Sequence, residues 1–336
     1  MDKPIAAPPL RWFFSSARRH IAWRYWVHDV VLGLLYTLYY LVFRNAAIDT
    51  CSVAGDWAGD FARRHINFDL GAPRKHRGHE ARARENWAIL RPEDDAAKAA
   101  ASVNAAFRQT MRTFAEMPIL EKLWPAGRIS VVGAEHVSAA KAAMRPTLIA
   151  GLHLANWEVI WPTLVGLGYS VAAVYQPPPN RFDHRLSIAI RRRFGGTLIP
   201  GRRGGGRIAY RALADTHDVL LMYIDELVNE HLYAPFLGRP VKAEGNIAYA
   251  ARLAALTGAV IIPAYCTRLG GARFRVTFMP PVDLVSSSDR EADVLENVAR
   301  LDTVIEPVIR FHLDQWLWLF DARIDRAEYL GRLKSE

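Results

Sequence analysis

The sequence predicts an α/β fold: a twisted, mostly parallel central sheet flanked by helices, with an N-terminal membrane-associating helix. Three observations predict it. Short apolar runs recur at 129–132, 147–152, 170–175, 196–199, 219–224, 259–265 and 273–278. Helical patterns at 182–194, 206–213 and 246–256 separate most of the later runs, and such alternation argues for a parallel sheet under helical cover. An uncharged run, 30–43, follows a basic and aromatic N-terminus. With 51% hydrophobic and 23% charged residues, a disordered chain is excluded. The 336 residues suffice for one large domain or two smaller ones with a substantial core.

Residues 1–50 read as the anchor. Arg11 precedes Trp12, Phe13 and Phe14, and Trp23, Arg24, Tyr25 and Trp26 again interleave cation and aromatic. The run 30–43 is bounded by Asp29 and Arg44. Its fourteen residues make about 21 Å of helix, short of the ~30 Å hydrocarbon core. Tyr36, Tyr39 and Tyr40 suit a membrane interface. An interfacial or re-entrant helix, a strained single span and a core helix all fit. A cleavable secretory signal does not, because no small-residue cleavage site follows cleanly.

Residues 51–128 read as a helical segment. Arg74 to His79 forms a basic connector, and Val103, Phe107, Met111 and Phe114 recur at helical spacing over 95–116, a stripe suited to core packing. Residues 129–325 carry the α/β pattern, and 326–336 is a polar tail. Gly258 stands where a helix would end just before a strand. The segment 293–314 reads as a closing amphipathic helix, followed by the aromatic run 315–320.

The chemistry centres on His153 and Glu158. On a regular helix five residues turn through about 500°, leaving the side chains about 140° apart. The two can meet only if His153 ends a strand and Glu158 opens the next helix, and Pro162 supports that break. A neutral imidazole held by a carboxylate takes a proton from an alcohol, and the carboxylate then stabilises the imidazolium. With 11 histidines, about one such pair is expected by chance, and a satisfied core histidine is the plain alternative. Placement at a strand's C-terminal end favours the site, since open α/β sheets bind ligands there.

A net charge of +9 implies an anionic partner: nucleic acid, anionic lipid or a phosphorylated substrate. Cys51 and Cys266 form no zinc pattern or disulfide framework, and no third ligand clusters with His153 and Glu158, so no metal is expected. The loop 201–206, with Arg202, Arg203 and three glycines, reads either as an anion cradle ahead of a helix or as a solvated loop. Asp225 closes a strand and reads as a positioning carboxylate, with Arg203 a possible partner, or as a helix cap. Arg191, Arg192 and Arg193 reach lipid phosphates or line a solvated helix face.

In this order the motifs resemble the bacterial lipid A biosynthesis (lauroyl/myristoyl) acyltransferase family, whose relatives include the mycobacterial acyltransferase that modifies phosphatidylinositol mannosides. The series begins with the basic-aromatic anchor and Val132-Gly-Ala-Glu-His136. Gly151-Leu-His-Leu-Ala-Asn-Trp-Glu158 resembles the family's His-x4-acid box, and Tyr175-Gln-Pro-Pro-Pro-Asn180 the segment after the next strand. Arg203 resembles the family's arginine, Asp225-Glu226 an Asp-Gln pair, and Ala234-Pro-Phe-Leu-Gly-Arg-Pro240 a Val-Pro-Phe-Phe-Gly element. Gly258-Ala-Val-Ile-Ile-Pro263 and Gln315-Trp-Leu-Trp318 complete it. Glu226 departs from the usual glutamine, Gln176 from an arginine, Lys242-Ala-Glu-Gly245 from a threonine-bearing element, and Trp318-Leu-Phe-Asp-Ala-Arg323 from the closing pattern. These departures fall where charged groups of an acceptor would bind.

The resemblance implies transfer of a fatty acyl chain to a hydroxyl of a lipid or glycolipid, lipid A-type. The donor would be a thioester on acyl carrier protein or coenzyme A, a co-substrate rather than a cofactor. His153 would be the base and Glu158 would hold its ring. Arg203, Asp225, Glu226 and Asn180 would bind substrate. The expected place is the cytoplasmic face of the bacterial inner membrane, with no nucleic-acid partner. A membrane-associated glycosyltransferase and a non-catalytic lipid-binding relative are the alternatives.

Overall fold

The computed structural model describes residues 7–65, 78–178, 180–201, 204–215, 219–228, 230–325, 327 and 329. Its strands are β1 (Ile129–Val132), β2 (Thr147–Gly151), β3 (Val171–Tyr175), β4 (Thr197–Pro200), β5 (Val219–Tyr223), β6 (Leu227–Val228), β7 (His231–Leu232), β8 (Val260–Gly270) and β9 (Arg273–Phe278). Seven of them form one sheet in the order β1-β9-β8-β2-β5-β3-β4, and β6 and β7 form a separate small hairpin. All pairings in the large sheet are parallel except β8 with β9. This is the α/β architecture expected from the alternating pattern.

The sheet is sandwiched between two apolar layers. Side chains alternate across a strand, so Leu148 and Ala150 of β2 join Leu220 and Met222 of β5 on one face. Ile149, Val219 and Leu221 point into the other. The first layer is closed by helices Gly205–Ala214, Gly245–Thr257 and Arg290–Phe311. The second is closed by Ile160–Gly166 and by the turn and short helix through Met117–Ile119 and Leu120–Leu123. Burial on both faces explains why β2 and β5 read as unbroken apolar runs rather than alternating ones.

The N-terminal region forms a 25-residue helical stretch, Arg19–Phe43, long and apolar enough by length and composition to cross a membrane. At 1.5 Å per residue it extends about 37 Å. The uncharged run alone underestimates it, because a π-helical turn at Arg24–His28 carries the helix through charged residues. Leu34, Leu38 and Leu41 are exposed along it. Its other side packs on helix Arg181–Arg192, where Gly33 leaves room for Phe182: an added Cβ would stand 2.3 Å from the Phe182 Cβ. Asn180 Nδ2 and an Arg181 guanidinium nitrogen donate to the carbonyls of Asp29 and Tyr25, at 3.1 and 2.7 Å.

Beyond the anchor, helices Ile48–His65 and Ala96–Ala115 lie against each other. The basic connector expected from Arg74 to His79 lies mostly outside the described residues. The second helix delivers Glu116, wholly buried, to Arg268 on β8, whose side chain is 4% exposed. The pair is bidentate, at 2.6 and 2.9 Å. Glu116 also accepts from Asn156 Nδ2 at 2.9 Å, and Thr113 donates to the Ala155 carbonyl at 2.9 Å. The turn after β2 is therefore pinned from below, which matters because Ala155 has a positive φ of 49°, strained for a non-glycine residue.

Removing Arg268 strands a buried charge, which costs about 3–5 kcal/mol. Arg268→Leu should therefore move the urea midpoint down steeply, while Arg268→Leu combined with Glu116→Leu should recover much of the loss. A single variant with the wild-type midpoint would contradict this account of the pair.

Candidate active site

β2 and β5 are parallel neighbours with Gly151 opposite Tyr223. Two residues beyond each lies a polar side chain, His153 and Asp225, so register alone sets them side by side. The close approach needs Gly151, since an added Cβ would stand 2.9 Å from the Tyr223 ring. Asp225 is fully buried. Its carboxylate accepts from the His153 backbone N–H at 3.0 and 2.9 Å, from His153 Nδ1 at 2.9 Å and from Trp316 Nε1 at 3.0 Å. Its carbonyl accepts from Trp318 Nε1 at 2.7 Å.

An ionised carboxylate only accepts hydrogen bonds, so the pairing assigns the proton of the neutral ring to Nδ1 and a lone pair to Nε2. The imidazole is boxed by aromatic rings: Tyr223 at 4.5 Å, Trp318 at 5.1 Å and Trp157 at 5.4 Å between centroids. Its side chain keeps 18% exposure, so the site has an open side. A carboxylate–imidazole pair with Nε2 free can accept a proton from an approaching hydroxyl. The sequence model of the bacterial lipid A biosynthesis acyltransferase family matches residues 32–322. The chain belongs to this family. No curated protein sequence matches it.

The matched span holds both residues of the pair and the two indole donors Trp316 and Trp318. The strand–turn placement expected of the His-x4-Glu box is present. β2 ends at Gly151, and Glu158 lies in the 3-10 turn Trp157–Val159 that leads into helix Ile160–Gly166. The hydrogen bond that fixes the ring differs from expectation, because Asp225 and not Glu158 receives Nδ1. Glu158 instead pairs with Arg191, which also lies 4.6 Å from the centre of the Tyr175 ring. Burial works against the Arg191 charge, but the adjacent carboxylate, with Tyr175 and Tyr223, outweighs it and holds the guanidinium above its ordinary value. Arg191 is thus no solvated cation. Arg193 pairs with Glu121 at 3.1 Å, and Arg192 is exposed.

Asp225 has His153 as its partner, while Arg203 and Arg202 lie outside the described residues. Asn180 caps helix Arg181–Arg192, accepting from Phe182 and Asp183 backbone N–H groups at 2.9 and 3.1 Å. With its Nδ2 on Asp29, both ends of its amide are engaged in holding structure. Glu226 follows Asp225 and accepts from the Asn246 backbone N–H at 2.8 Å. Burial raises its carboxyl above the ordinary value, opposed by the Asn246 N–H and the nearby His153. Tyr223 donates to the Trp157 carbonyl at 2.7 Å, and burial pushes its phenol well above the ordinary range. Tyr175 is pushed up to about 12, also by burial.

Sequence reasoning missed the His153–Asp225 pairing and the indole donors. One signal was present, since both residues stand just past predicted strands at the same offset. Strand order, which makes the strands neighbours, was not readable.

Glu226 gives a pH prediction with a definite sign. A carboxyl raised in the folded state binds more protons folded than unfolded, so stability falls as pH rises from its ordinary value, about 4.3, through the raised one. Glu226→Gln keeps an oxygen for Asn246 and removes the charge. It should be more stable than wild type at pH 8 and no more stable at pH 3.5, read from thermal melts at both.

Proposed function

We propose that the chain transfers a fatty acyl group from a thioester, on acyl carrier protein or coenzyme A, to a hydroxyl of a lipid or glycolipid acceptor of lipid A type. The observation that carries this reading is the His153–Asp225 pair at the carboxyl edge of the sheet, within a chain of an acyltransferase family. His153 Nε2 takes the proton as the acceptor oxygen attacks the thioester carbonyl. A new C–O bond forms, the C–S bond breaks, and the imidazolium returns the proton to the leaving thiolate. Asp225 holds the ring and stabilises the imidazolium, and such base catalysis contributes about 10²–10⁴-fold.

Glu158, through Arg191, fixes the wall of the site formed by helix Arg181–Arg192. Glu226 lies beside the imidazole and faces the acceptor, and Arg203 is proposed to meet an anionic group of donor or acceptor. The apolar helix Arg19–Phe43 supports a seat on the cytoplasmic face of the inner membrane, where thioester donors are made. Its exposed leucines and the preceding Arg18 and Arg19 suit a bilayer with anionic headgroups.

Thioester consumption with total bacterial lipid tests the reading. His153→Ala and Asp225→Asn should each lose about 10²-fold or more in kcat with the fold intact, and Glu158→Gln should lose less. Equal turnover by wild type and His153→Ala would sink the enzyme reading in favour of a lipid-binding relative. A Glu158→Gln loss as deep as that of His153→Ala, with Asp225→Asn mild, would return the ring-holding role to Glu158. For the membrane, flotation with vesicles containing anionic phospholipid should recover the full chain and lose a form lacking residues 1–43. Equal flotation of both would place the contact elsewhere.

A further inference from the structure

The closing aromatic run is far from the His153 turn in sequence, yet it is built into it. Leu154 forms an antiparallel bridge with Trp316. The Ala155 N–H donates to the Gln315 carbonyl at 2.8 Å, and the Leu317 N–H donates to the His153 carbonyl at 3.0 Å. The turn bearing the imidazole thus pairs with 315–317 as a short extra strand would. From that strip two indoles reach the same residue: Trp316 donates to Asp225 Oδ2 and Trp318 to the Asp225 carbonyl. Trp316 is 1% exposed. Beyond its packing, its N–H is the side-chain donor that joins the His153 backbone N–H on the carboxylate oxygen not bonded to the imidazole.

We propose that Trp316 and Trp318 are positioning residues for acyl transfer, holding Asp225 so that its carboxylate fixes the His153 ring and tunes its basicity. The proposal rests on His153 acting as the general base. Oδ2 carries a share of the anionic charge, and the Trp316 N–H stabilises it. Without that donor the carboxylate becomes more basic and binds the imidazolium more strongly, so His153 keeps its proton to higher pH. Trp318 acts on the backbone that aims the carboxylate and lies edge-on to the imidazole. Among the described residues, Asp225 bonds the ring, Glu226 is electrostatically coupled to it, Glu158 is paired to Arg191, and Tyr223 packs on it.

The test is steady-state acyl transfer across pH by full-length wild type, Trp316→Phe, Trp318→Phe and Asp225→Asn, and by both tryptophan changes on the Asp225→Asn background. Phenylalanine keeps a ring and deletes the N–H. Losing a hydrogen bond to a charged group should lower kcat of Trp316→Phe about tenfold or more, with KM near wild type. The acid limb of kcat/KM should move to higher pH, and Trp318→Phe should show a smaller kcat loss. On the Asp225→Asn background neither change should add more than about twofold, because the carboxylate that Trp316 stabilises and Trp318 aims is gone, although the carbonyl that accepts from Trp318 remains. Wild-type kcat in both variants overturns the proposal. So does a loss that multiplies with that of Asp225→Asn while the acid limb stays put, which is a packing effect. Should melting curves show Trp316→Phe unfolded, Trp318→Phe, only partly buried, decides by its kcat and its coupling to Asp225→Asn. Failure of the proposed function looks different, since wild type would then turn over no faster than His153→Ala.

Discussion

A carboxylate buried without solvent is costly unless every lone pair is met, and Asp225 makes that demand at the centre of this molecule. Its needs are met by the His153 backbone, the His153 ring and Trp316, so three separate stretches of chain must converge on one group. β2 and β5 must be adjacent and in register, and the C-terminal strip must fold back across the sheet edge. The turn between His153 and Glu158 cannot relax, because its carbonyls and amides are engaged by Thr113, Gln315 and Leu317. A single polar group thereby dictates the local geometry of the face on which the chemistry is proposed to occur.

The ion pair of Glu116 and Arg268 has a related role beneath that turn. It is buried, bidentate and linked by Asn156 to the same turn. Buried pairs of this kind add little net stability but punish any arrangement that separates them. Here the penalty falls on conformations that would release Asn156 and let the strained Ala155 unwind. The N-terminal helix is fastened in comparable fashion. Asn180 and Arg181 hold it to the helix that also bears Arg191, so a single rigid element links the apolar exposed stretch to the Glu158 carboxylate.

The sheet was legible because its strands are buried on both faces and therefore appear as apolar runs between helical patterns. All seven predicted runs are strands of the large sheet. The strand end before His153 was legible as the end of an apolar run, and Pro162 marked the helix start near Glu158. The partner of the imidazole did not, because periodicity carries no information about which strands lie side by side, and the bond from Nδ1 depends on the β2–β5 adjacency. The structural role of Asn180 was legible in principle, because asparagine before a helix is a cap in its own right. The length of the anchor was underestimated because charge boundaries were taken as helix boundaries, whereas Arg24, His28 and Asp29 sit within the helix.

The sequential order of these elements along the chain has a temporal consequence. The apolar helix is made before the sheet and is free to engage a bilayer while the strands are still on the ribosome. His153 and Asp225 can pair once β5 is complete, but the indole of Trp316 arrives 91 residues after Asp225. At ordinary rates of synthesis that interval is roughly 5–18 s. Through it, one oxygen of a carboxylate destined for burial has only the His153 backbone N–H as a protein donor, and the imidazole turn lacks the strip that closes it. A bilayer contact through that helix would therefore precede assembly of the proposed reactive centre, and the strip around Trp316 would complete both the core and the imidazole turn.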